Sequence, residues 1–146
     1  MYTRILVPVE NTRTDRGILA HVRTLARHCN ASIVLIHVAD GFAARNLAQL
    51  DLRESEEMRR DRAYLDAIAE ELIAEGLPCE AVLACGNPAD EIVAAAGREQ
   101  ADLIAMATHG HRGLNDLIRG SVASEVRHRT SVPVLMLREA PHTSAP

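Results

Sequence analysis

Five short apolar runs, separated by stretches whose apolar residues recur at helical intervals, restrict this chain more than any other feature of it. The runs are Ile5–Val9, Ile33–Val38, Val82–Ala84 with its flanks, Leu103–Ala107 and Val132–Leu137. The first, second and fourth are apolar at nearly every position and not at alternate ones. A strand of that kind is covered on both faces, as strands in parallel sheets are. Between the runs, Ile18, Val22, Leu25 and Cys29 step by four, three and four residues and form one stripe along a helix. Met58, Leu65, Ile68 and Leu72 form a second, ended by the stop signal Glu75-Gly-Leu-Pro78. Ala89, Ile92, Val93 and Ala96 form a third after Gly86-Asn-Pro88, and Val122 and Val126 mark a fourth over Ser121–His128. The order β-α-β-α-β-α-β-α-β with right-handed crossovers predicts an α/β fold, an open five-stranded parallel sheet with helices on both faces.

Composition narrows the chemistry. Hydrophobic residues are 47% of the 146 but aromatics only 2%, so the core is aliphatic and base-stacking platforms for nucleic acid are not expected. The net charge of −4 offers no basic footprint for DNA or RNA. All 16 basic residues counted as Lys or Arg are arginine. Without lysine there is neither a phosphate-loop Gly-Lys-Ser/Thr motif nor a Schiff-base lysine. Cys29, Cys79 and Cys85 are odd in number and lack C-x-x-C spacing, and they read as buried reduced thiols. No apolar stretch approaches the ~20 residues of a membrane span, and Met1 leads straight into a strand without a signal peptide. The expectation is a cytoplasmic protein with one domain over residues 1–138 and a disordered tail over 139–146.

Local signals mark several further features. Thr12-Arg-Thr-Asp15 resembles a capping box with Asp in place of Glu. Gly41 to Glu57 is long for a loop and is expected to form a partly helical flap over the strand ends. Arg53 to Arg62 mixes charges as a solvated helical face does. His37 ends an apolar strand and reads as a hydrogen-bonded core histidine. His109-Gly-His111 supplies two imidazoles but no third ligand for a metal, and loop polarity accounts for it better. Ser121 lacks the Gly-x-Ser-x-Gly elbow of a hydrolase and reads as a helix cap.

The last third carries most of the chemistry. An apolar run leads into Ala107-Thr-His-Gly110, nine residues follow, and then come Gly120-Ser121-Val122 and a helical stretch. Gly110 and Gly113 allow close approach of the backbone to a ligand, and Gly120-Ser121 at a helix start would offer N–H groups to a phosphate. A tight structural βα turn with helix capping explains the same spacing.

These residues, with Ile5-Leu-Val-Pro-Val9, Leu35-Ile-His-Val38, Gly86-Asn-Pro88, Asp90-Glu-Ile92, Asp102-Leu-Ile104 and Pro133-Val134-Leu135, carry a resemblance. The chain is similar over essentially its whole ordered length to the universal stress protein family. The resemblance implies a Rossmann-like fold of the adenine-nucleotide α-hydrolase kind, with strand order 3-2-1-4-5. It implies binding of ATP, or of ADP or AMP, with Mg2+ held through the phosphates. Gly110, Gly120, Ser121 and Val122 would hold the phosphates, Val9 and Glu10 the nucleoside, and Val38 the adenine. Pro8, Ala107, Arg112, Gly113 and Ala123 complete the implied nucleotide site. The chain departs from the family pattern at Ala107, where the signature has its first glycine, at Glu10 in place of Asp, and at Asn11 in place of Gly. Arg119, where an apolar residue is usual, either reaches a phosphate or points to solvent. No catalytic residue is placed by sequence, so binding outranks catalysis and any hydrolysis would be slow. The implied role is a nucleotide-dependent stress-response regulator with a protein partner that the sequence does not identify. A homodimer is expected through the edge strand Val132–Leu137. A nucleotide-free dimeric interaction module of the same fold and a slow nucleotide hydrolase are the alternatives.

Overall fold

A computed structural model describes residues 1–40, 47–108 and 114–138, with side chains for all of these except residues 40, 47–55 and 114–120. Among the described residues, five strands, β1 (Arg4–Pro8), β2 (Ser32–Asp40), β3 (Cys79–Gly86), β4 (Leu103–Thr108) and β5 (Val134–Arg138), alternate with four helices. The helices are α1 (Asp15–Cys29), α2 (Leu47–Ala74), α3 (Pro88–Arg98) and α4 (Leu114–Arg129). All strand pairs are parallel, in the order β3-β2-β1-β4-β5.

The pleat explains why the central runs are apolar at successive residues. Ile5, Val7, Ile33 and Leu35 point to the face covered by Ile18 and Val22 of α1 and by Leu65 and Leu72 of α2. Leu6, Val34, Ile36 and Ile104 point to the other face, against Ala89 and Ile92 of α3 and Ala123 and Val126 of α4. Each of these large side chains, once fully buried, contributes roughly 1.5–3 kcal/mol. Two cores separated by one sheet result, and both depend on the strands in the middle.

Helix ends follow the local signals. α1 ends at Asn30, left-handed with φ 56°, and α2 ends at Gly76 with φ 89°, where the Leu77 N–H returns to the Leu72 carbonyl at 3.0 Å. Asn87 caps α3, its side-chain oxygen accepting the Asp90 N–H at 3.1 Å with Pro88 next in line. Half of the expected capping box is present, because the Asp15 carboxylate accepts the Thr12 N–H at 3.3 Å. The Thr12 hydroxyl instead meets that of Thr14 at 2.6 Å.

Four expectations change. The last helix starts at Leu114, well before Ser121, because Leu114, Leu117 and Ile118 already recur at helical spacing and a single glycine inside a helix costs only ~1 kcal/mol. Within the segment read as a flap, residues from Leu47 on are the first turns of α2, and 41–46 lie outside the described residues. The thiols are not buried: Cys29 and Cys79 are half-buried and Cys85 is exposed, since all three sit where helix or edge strand meets solvent. The charged run is exposed at Glu56, Glu57, Arg59, Arg60 and Arg62 but not at Asp61, which turns inward. The tail 139–146 lies outside the described residues. No described helix is long and apolar enough to cross a membrane.

Candidate functional site

The connections of this sheet diverge between β1 and β4, since α1 leaves β1 onto one face and α4 leaves β4 onto the other. In open α/β sheets a crevice forms at that point, beyond the carboxyl ends of the strands. Here it is a cleft of about 360 Å³. Pro8, Val9 and Glu10 form its β1 wall, Ile36, His37 and Val38 its β2 wall, and Met106 and Ala107 its β4 wall. Pro88 and Ile92 of α3 and Val122 of α4 close one side, and Thr14 and Asp15 at the start of α1 close the other.

The turn from β1 to α1 is held mainly by side chains. Val9, one residue past the strand, donates its N–H to the Ile36 carbonyl at 2.8 Å. Its own carbonyl lies 2.9 Å from Nδ1 of His37. The N–H groups of Glu10, Asn11 and Thr12 all donate to the Asp15 carboxylate, at 3.0, 2.8 and 3.3 Å. Three converging donors let this carboxylate sit 2% exposed at the positive end of α1. Asn11 adopts φ 62°, the left-handed region that Asn tolerates better than most residues, so the turn does not require glycine there.

A second layer supports the first. The Tyr64 hydroxyl of α2 donates to Asp15. Burial above all, and then the bond and charge of Asp15, push the Tyr64 phenol well up, so it remains a donor throughout the physiological range. Asp61, one turn earlier on α2, lies 3.2 Å from Nε2 of His37.

Chemically, the cleft combines apolar walls with carboxylates at one end. Ile36, Val38, Ile92 and Met106 suit a flat apolar ring, and Glu10 is an acceptor suited to hydroxyl or amino donors, whereas the Asp15 carboxylate is already engaged by the turn and by Tyr64. That end does not suit phosphate, whose charge those carboxylates would repel. An anionic arm would have to extend away from that end, past β4.

Of the residues named from sequence, Pro8, Val9, Glu10, Val38, Ala107 and Val122 line the cleft together. Ser121 and Ala123 do not: Ser121 is exposed on α4, and Ala123, 2% exposed, packs into the core beneath. Gly120 and Ser121 lie inside α4 and not in its first turn, so their N–H groups are not among those a helix leaves free. Gly110, Arg112 and Gly113, the pair His109 and His111, and the Arg119 side chain lie outside the described residues. Sequence reasoning assigned no site role to Asp15, His37, Asp61 or Tyr64. The capping-box pattern pointed at Asp15 and the strand-end position at His37. Nothing local separates Asp61 from the charges around it.

A family model described as the universal stress protein family matches residues 1–138. Universal stress protein MJ0577 of Methanocaldococcus jannaschii is 27% identical, over 94% of this chain and 96% of its own length. Its solved structure superposes with a TM-score of 0.84 at 26% identity, covering 97% of this chain and 99% of that one. A universal stress protein in complex with cAMP (TM-score 0.69, 20% identity, 94% and 97% covered) shares the fold. So does one from Archaeoglobus fulgidus in complex with dAMP (TM-score 0.65, 23% identity, 92% and 97% covered).

Proposed function

The chain belongs to the universal stress protein family, and from that premise we propose that it binds an adenine nucleotide, ATP ahead of ADP or AMP, and acts as a nucleotide-dependent stress-response regulator. The observation that carries the proposal is the cleft at the divergence of β1 and β4, which brings Pro8, Val9, Glu10, Val38, Ala107 and Val122 onto one wall system. Its volume falls in the range of small-molecule sites, and its walls fit a nucleoside: apolar surface for adenine, the Glu10 carboxylate as acceptor for ribose hydroxyls. Two relatives of the same fold are known in complex with cAMP and dAMP, which supports an adenine nucleotide as the ligand class. The phosphates would extend towards Gly110, Arg112 and Gly113, and Mg2+ would be carried by the phosphates and not by the chain. In the cell the protein would be cytoplasmic and would act as a homodimer paired through the strand Val132–Leu137, with a protein partner responding to occupancy.

One observation favours the second reading, a nucleotide-free interaction module. Gly120 and Ser121 sit inside α4, where their N–H groups are engaged by the helix. For the triphosphate to be held there, the first turns of α4 would have to rearrange. The two readings part in one experiment: protein purified without added nucleotide is denatured and the released small molecules are weighed by mass spectrometry, alongside thermal unfolding with ATP and with AMP. Nucleotide in the released fraction, or stabilisation of about 2.7 kcal/mol at one hundred times the dissociation constant, is the expected result. No released nucleotide and no shift with either ligand leaves the interaction module.

A further inference from the structure

Four successive backbone groups of the β1–α1 turn are held by two side chains. His37 takes the Val9 carbonyl at 2.9 Å, and Asp15 takes the N–H groups of Glu10, Asn11 and Thr12 at 3.0, 2.8 and 3.3 Å. Neither of these side chains stands alone. Each is held in turn from α2, His37 by Asp61 and Asp15 by the Tyr64 hydroxyl. Asp61 and Tyr64 are one helical turn apart and therefore share a face of α2. The whole arrangement is a clasp: one helix face, two relay side chains, one turn at the wall of the cleft.

His37 gives the clasp a chemical signature. Both of its ring nitrogens meet groups that only accept, a backbone carbonyl and a carboxylate. An imidazolium donates at both positions, whereas a neutral imidazole satisfies one and leaves the other opposed. The titratable groups around it are Asp61 from α2 and, lining the same cleft, Glu10 and Asp15 from the β1–α1 side; all three are carboxylates. β1 presents the Val9 carbonyl and β3 the apolar Leu83 in register, while α3 packs on the opposite face of the sheet.

Resting on the nucleotide reading above for its ligand, we propose that Asp61 and Tyr64 are positioning residues for the nucleoside site, through which α2 sets the geometry of residues 9–12 and is coupled to nucleotide occupancy. Coupling of this kind is reciprocal: whatever α2 does to affinity, the nucleotide does to the placement of α2. A partner that grips α2 and a nucleotide in the cleft would influence one another through two hydrogen bonds.

The test uses the full chain and the near-isosteric variants Asp61→Asn and Tyr64→Phe, with His37→Gln as a third should either fail to fold. ATP affinity is measured by calorimetry, and amide exchange of residues 9–12 is followed without ligand. Tyr64→Phe is expected to speed exchange of the Glu10, Asn11 and Thr12 amides, and each variant to weaken ATP binding about fivefold, the lower end of typical coupling. Asp61→Glu, which keeps the carboxylate, is expected to retain more of the ATP affinity than Asp61→Asn; equal loss in both overturns the relay through His37. Wild-type exchange in both Asp61→Asn and Tyr64→Phe overturns the clasp, and faster exchange with unchanged affinity overturns the coupling. If the wild type binds no ATP, the nucleotide reading falls, and the clasp is then decided by amide exchange alone.

Discussion

At the scale of single residues, backbone conformation decides which substitutions this chain tolerates. Asn11 occupies φ 62°, and its turn is kept because Asn reaches that region at small cost. Gly86 is less replaceable. It ends β3 at φ 138°, and a Cβ built there would lie 2.8 Å from Oε1 of Glu91. The carboxylate could swing away, but the backbone conformation would remain strained for any L residue. Gly86→Ala is therefore expected to destabilise by about 2 kcal/mol, read as a lower urea midpoint with an unchanged slope. The double variant Gly86→Ala, Glu91→Ala should recover only part of the loss; full recovery would mean that the contact and not φ is responsible. The thiols also separate at this scale. Burial first, and then the neighbouring Glu80, push the Cys79 thiol up to about 11, whereas Cys85 is exposed and is the one a thiol reagent should reach first.

At the scale of elements, most of the architecture was legible and two features were not. All five strands lie where apolar runs placed them, and α1, α2 and α3 follow their stripes, because both patterns are local consequences of side-chain direction. The start of α4 was misplaced because Gly120 looks like a boundary, yet a helix with good formers on both sides continues through a glycine. Asp61 was hidden because its inward turn is set by where α2 crosses the sheet and not by its neighbours in sequence. A further element-scale tie joins the beginnings of β1 and β4. The Asp102 carboxylate accepts the Thr3 N–H and hydroxyl at 2.9 Å each and the Arg4 N–H at 2.9 Å, while its own N–H returns to the Arg4 carbonyl at 2.9 Å. Partial burial works against its charge, but the bonds from Arg4 and Thr3 prevail and hold the carboxyl below its ordinary value. A carboxyl lowered in the folded state contributes stability above the unfolded range and loses it as pH falls through the folded value. Asp102→Asn should therefore be less stable than the wild type at neutral pH, and the gap in urea midpoints should close as pH falls below about 3.9. A gap that stays constant well below that pH would show that the charge contributes nothing.

At the scale of the whole molecule, both sheet edges face outward, β3 on one side and β5 on the other. β5 is short, and its exposed apolar residue is Met136, 38% accessible, beside Leu135 and Leu137, which pack onto the core. An edge with unpaired backbone groups and apolar side chains invites pairing with a second copy across a two-fold axis. Leu135 is a poor probe of that pairing because charge there would also disturb the core. Met136→Arg is the cleaner one: light scattering should report monomers, with the fold retained by circular dichroism. A folded Met136→Arg that is still dimeric would exclude this strand as the interface.

Sequence alone determined the layered α/β plan, the order of elements and the family, because burial of a strand on both faces and the periodicity of a helix are written in neighbouring residues. It also named the strand-end residues Pro8, Val9, Glu10, Val38 and Ala107 that meet in the cleft. Tertiary structure alone decided what holds that cleft in shape. Asp15 and Tyr64 stand 49 positions apart, and His37 finds Asp61 on a separate element, so no local pattern signals either contact. Such pairs exist only once α2 has docked on the sheet, because a hydrogen bond needs its partners within about 3 Å and only packing brings these elements that close.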